Sequence, residues 1–184
     1  CGEIGPRKRK CLLPREFFVQ NVPNGVGRLG WLDGILREAR EYNRENQRHL
    51  HKPFHDVVRV LQLRALLEEV KGLPGGDYAE LGTYRGYSAR ILFAHRAPGS
   101  TLHCFDTFGG FAGSDATAER EATGYEVLED AFADTDLESV RRYVLGRHRE
   151  PDALHLHRGW FPSTFEGLEQ RRWRLVHLDA DLYK

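Results

Sequence analysis

Asp77-Tyr78-Ala79-Glu80-Leu81-Gly82-Thr83-Tyr84-Arg85-Gly86-Tyr87-Ser88-Ala89-Arg90-Ile91-Leu92 changes its rhythm in mid-course. After Gly75-Gly76, Asp77–Leu81 reads as a short strand bounded by glycine. Gly82 and Gly86 punctuate a sharp turn, where a residue without Cβ lets the backbone come close to a ligand. Over 86–95 the apolar positions Ala89, Ile91 and Leu92 then fall on a helical stripe. Strand, glycine turn and helix in immediate succession open a βαβ unit.

Downstream the alternation repeats. Residues 101–105 read as a second strand and 109–123 as a long polar segment. Helical stretches are expected near 126–132 and 137–145, the latter capped by Thr135 or Asp136. Residues 153–157 read as a third strand, 163–170 as a short helix and 175–178 as a fourth strand. Such spacing predicts an α/β fold with a parallel, right-handed sheet. Ligands of these sheets bind beyond the carboxyl ends of the strands.

Upstream, residues 1–30 read as an arm, with the basic run Arg7-Lys8-Arg9-Lys10 solvated rather than bound to nucleic acid. Residues 31–74 read as a helical extension. Trp31, Leu32, Ile35, Leu36 and Ala39 form one stripe, and a second helix over 55–71 ends at Gly72 and Pro74. Residues 75–184 hold the sheet.

The composition is that of one globular domain: 184 residues, 40% hydrophobic and 29% charged. Lysine plus arginine equals aspartate plus glutamate at 27 each, so no global charge points to nucleic acid or an anionic membrane. No apolar run is long enough to span a bilayer. The three cysteines, at 1, 11 and 104, form no CxxC, which makes a reduced cytoplasmic setting the expectation. The absence of methionine, even at position 1, suggests a fragment or processed chain.

The strand ends carry the chemistry. An acidic residue before the glycine turn suits a ligand with an amino acid end and a positive centre. Tyr84 stands where a dinucleotide fingerprint would have its second glycine, crowding a pyrophosphate. Asp106, after the second strand, suits the two hydroxyls of a ribose, which NAD and S-adenosylmethionine (SAM) share. After the third strand, Trp160 in Gly159-Trp160-Phe161-Pro162 suits either an adenine or the core. After the fourth, Asp179 and Asp181 stand two residues apart. A hard divalent ion such as magnesium would balance them, Asp181 could serve as a general base, or either could cap a helix.

Other candidates read as structural. His49, His51 and His55 lack a completing zinc ligand. His155 and His157 share a strand face, His177 lies inside the fourth strand, and Cys104 reads as a small buried residue.

Taken together, ELGTYRGYSARIL, FDTFGGF, GWFPSTF and HLDADLYK resemble, in order and spacing, the macrocin O-methyltransferase family over residues 54–184. The members are class I SAM-dependent enzymes that methylate sugar hydroxyls of glycosylated natural products. The resemblance implies a Rossmann-like class I methyltransferase core whose 80–86 turn and Asp106 hold SAM. The full set of expected cofactor residues is Glu80, Gly82, Thr83, Tyr84, Arg85, Gly86, Ser88, Asp106 and Trp160. It further implies that Asp179 binds Mg2+, that Asp181 is the general base, and that a small-molecule glycoside is the acceptor. In that family the chain continues past the DLY motif and supplies further metal ligands, so residues 75–184 are expected to be the front half of the domain. An open sheet edge is prone to pair with another chain, which would give a homo-oligomer. An inactive SAM-binding fragment and a nucleotide-linked oxidoreductase are the competing readings.

Overall fold

The computed structural model describes residues 34, 37–38, 53–124 and 131–180, with the backbone alone at 53–57. Four parallel strands form one sheet: β1 (Asp77–Leu81), β2 (Leu102–Asp106), β3 (Leu154–Arg158) and β4 (Trp173–Leu178), in the order β3-β2-β1-β4. The described helices are α1 (Pro53–Val70), α2 (Tyr87–His95), α3 (Gly113–Thr123) and α4 (Leu137–Leu145). None is long and apolar enough to cross a membrane.

Period-two alternation sorts the strand residues onto two faces. Tyr78, Leu102, Cys104 and Leu154 share one face, and all are buried. They form one core with Val60, Leu61, Leu63 and Leu67 of α1, with Ala89, Ile91, Leu92 and Phe93 of α2, and with Val140 and Val144 of α4. The upstream helix α1 therefore belongs to the core of the sheet. The other face carries His103, Phe105, His155 and His157 beside Val176 and Leu178, which are 45% and 69% exposed.

The strands begin and end within two residues of their sequence expectations, and Asp136 caps α4 by accepting the Ser139 N–H at 2.9 Å. Two expectations are corrected. The polar segment 109–123 contains the helix α3, hidden because Ala116 is its one buried residue and no apolar stripe marks it. The helix expected over 163–170 is only a 3-10 turn, Ser163–Phe165, and Gly167 with φ of 79° follows in a left-handed conformation that breaks any continuation. Of the stretch expected at 126–132, residues 126–130 lie outside the described residues, as do the arm, the basic run, Cys1, Cys11, His49, His51 and Asp181.

Candidate functional site

The strand order reverses at β1: the chain runs outward through β2 and β3, then returns to place β4 on the other side. The carboxyl ends at this reversal frame the crevice where open α/β sheets bind ligands. The 82–86 turn, the loop after Asp106, the Gly159–Pro162 stretch and Asp179 all emerge at this end of the sheet.

Gly82 and Gly86 are required by the protein's own packing. Gly82 has φ of 84°, and a Cβ there would lie 2.3 Å from the Asp179 carbonyl oxygen. Gly86, with φ of 82°, faces α4, where a Cβ would lie 2.8 Å from Val144 Cγ2 and 3.1 Å from Val140 Cγ1. The close approach expected toward a ligand is thus made, on these two atoms, toward β4 and α4. Helix α2 then begins with no side-chain cap at Gly86. An uncapped helix start of this kind suits an anionic ligand group or water.

Asp106 fastens the turn. Its Oδ2 accepts the backbone N–H groups of Thr83 and Tyr84, each at 2.8 Å, while Oδ1 accepts the Phe108 N–H at 2.8 Å. A carboxylate has about four acceptor positions. Thr107 Oγ1 also lies 3.5 Å from Oδ1 but donates to the Gly110 carbonyl at 2.6 Å, so Oδ1 keeps room for a ligand hydroxyl.

Beneath the turn, Glu80 is fully buried. Its Oε1 lies 3.1 Å from His177 Nδ1. Burial pushes the Glu80 pKa up, against the His177 bond, while that same bond pushes the His177 pKa up. Glu80 Oε2 and Thr83 Oγ1 are buried and meet no donor or acceptor in hydrogen-bonding geometry among the described residues. The Ser88 hydroxyl nonetheless acts on Glu80 toward the ionised form. Orphaned buried groups of this kind commonly mark a water or ligand position. Burial and then the Glu80 carboxylate push the Cys104 thiol well up, in keeping with an inert core residue.

The sequence singles out Tyr84 and Arg85 but not Asp134, the partner that their side chains share. Tyr84 Oη donates to Asp134 Oδ1 at 2.7 Å, and Arg85 pairs with Asp134 Oδ2. The Tyr84 ring meets Phe132 edge-on at 4.9 Å, and Phe132 meets Phe111 at 5.3 Å. Tyr84, Phe108 and Phe132 have φ of 48°, 49° and 62°, the non-glycine positive values among the described residues. Each such aromatic costs roughly 1–2 kcal/mol, and backbone strain of this kind clusters at functional sites.

Trp160 is 46% exposed, which removes it from the core and leaves its ring free for a ligand. Asp179 is exposed at the end of β4. Among the described residues no group of three or more histidine, cysteine, aspartate or glutamate side chains could hold a metal ion. The carboxylate acceptors Glu80 and Asp106 suit donors such as an ammonium or ribose hydroxyls better than a pyrophosphate.

An open parallel sheet that reverses beside an acidic strand end and a glycine turn defines a Rossmann-like fold. Two solved structures share it: the O-methyltransferase NovP, with TM-score 0.53 and 22% identity over 69% of this chain and 55% of that one; and CalS11, a calicheamicin methyltransferase, with TM-score 0.54 and 19% identity over 91% and 72%. The chain thus spans about half the length of NovP. No curated protein matches it. A family model described as a methyltransferase domain matches residues 79–184, and the chain belongs to that family.

Proposed function

We propose that this chain is the cofactor-binding part of a SAM-dependent O-methyltransferase that acts on a hydroxyl, a sugar hydroxyl of a glycosylated small molecule. The observation that carries the reading is the Glu80–Gly86 turn tied by Asp106 to the second strand, at the crevice of a methyltransferase-family sheet. NovP, an O-methyltransferase, and CalS11, a calicheamicin methyltransferase, support the oxygen and natural-product parts of it.

When bound, SAM would supply a methyl group on a sulfonium sulfur, open to in-line attack by an oxygen. Asp106 Oδ1 accepts a ribose hydroxyl in this reading. The start of α2, with the Ser88 N–H, receives the carboxylate of the amino acid end. Glu80 contributes a buried negative charge toward the cationic end, and the exposed face of Trp160 covers the adenine. Asp181 takes the acceptor's proton as general base, while the turn holds the reacting atoms in line. Asp179 is the assigned Mg2+ ligand among the described residues. A metal there would need partners beyond the described residues.

A melting series tests the reading. Saturating S-adenosylhomocysteine should raise the melting temperature, and NAD should leave it unchanged. Stabilisation by NAD alone would favour the oxidoreductase reading and overturn this one. Transfer of labelled methyl from SAM to glycosides, with and without Mg2+, addresses acceptor and metal.

A further inference from the structure

The chain returns to the ligand end of the sheet at residues 131–134, far in sequence from the turn it touches. Phe132 sits edge-on to Tyr84 and Phe111, so this segment bridges the turn after β1 and the loop after β2. The fit is close: a Cβ on Gly110 would lie 3.0 Å from the Ala131 carbonyl oxygen. At its end Asp134 offers one carboxylate oxygen to Tyr84 Oη and the other to Arg85.

Resting on the SAM reading, we propose that Asp134 is a positioning residue: it clasps the 131–134 strap onto Tyr84 and Arg85 and so sets how fast the cofactor leaves. The clasp closes two residues of the cofactor turn with a single side chain that is itself 49% exposed. Opening it therefore disturbs no core packing. The left-handed conformations at Tyr84 and Phe132 persist only while their surroundings hold them, so the clasped state is a strained one with an open alternative. Burial and the Asp134 bond raise the Tyr84 pKa, keeping the phenol a neutral donor.

The test is the dissociation rate of S-adenosylhomocysteine, measured by stopped flow for the wild type, Asp134→Ala and Asp134→Asn. The expected result is an off-rate about ten-fold or more faster in Asp134→Ala, with the ligand-free melting temperature unchanged. Asp134→Asn still accepts from Tyr84 and should recover part of the slow release, which a merely structural role would not produce. Should Asp134→Ala fail to fold, the Asn variant alone decides, by an off-rate between two- and ten-fold faster or an unchanged one. An unchanged off-rate in a folded variant, while the wild type binds, overturns the clasp and leaves the cofactor reading intact. Absence of binding by the wild type overturns the cofactor reading and the clasp with it.

Discussion

Gly82 and Asp179 meet backbone to backbone: a Cβ on the glycine would lie 2.3 Å from the aspartate carbonyl oxygen. The turn after β1 and the exit of β4 are thereby one surface, closed further by the Asp179 N–H donating to the Leu81 carbonyl at 2.9 Å. Gly82→Ala adds both a clash with backbone and a left-handed strain. A stability loss of ~2–4 kcal/mol is expected from the urea midpoint. A change below about 0.5 kcal/mol, the usual range for a neutral surface change, would remove this contact from the account.

Asp106→Asn replaces one acceptor oxygen by an amide NH2, which cannot accept from the backbone N–H groups that face it. Loss of about 1–3 kcal/mol is expected. Hydrogen exchange localises it: loss of protection should be confined to the three amides that Asp106 accepts from, those of Thr83, Tyr84 and Phe108. Exchange that quickens uniformly across the sheet would mean that Asp106 does not tie the turn.

Removing His177 leaves Glu80 buried without its partner. His177→Leu should destabilise by about 3 kcal/mol. In a Glu80→Leu background the same substitution should cost far less. A coupling near zero in this double-mutant cycle would show that the two residues are independent.

Burial, followed by the charges of Arg171, His157 and His155, pushes the His103 pKa down from 6.5 to about 4. At this group the unfolded chain therefore binds more protons than the folded one in this interval, and the stability that His103 contributes falls as pH drops from about 6.5 toward about 4. His103→Phe should flatten the slope of the denaturation midpoint against pH. Some slope should remain from His157, whose pKa is also lowered, chiefly by burial. An unaltered slope would place the acid sensitivity elsewhere.

The parts of the fold that were legible in the sequence are those where burial and punctuation agree. Asp77–Leu81 was readable because glycines bound a strand buried at its centre. Helix α4 was readable from Leu137, Val140 and Val144 with a cap at Asp136. Helix α3 was not, since a helix that buries only Ala116 leaves no periodic signal. The site divides the same way. Glu80, Gly82, Gly86 and Asp106 stand out by residue type after a strand. The Glu80–His177 pair and the Tyr84–Asp134 bond join residues 97 and 50 positions apart, which local pattern cannot report. The packing roles of Gly82 and Gly86 depend on β4 and α4 in the same long-range way.

The proposed role of this turn and Asp106 is to hold SAM. Calorimetric titration of the 184-residue chain with S-adenosylhomocysteine tests it directly. Saturable binding that is lost in a folded Asp106→Ala variant is the predicted result. No heat of binding from a folded wild-type sample, or equal binding by the variant, would contradict the account.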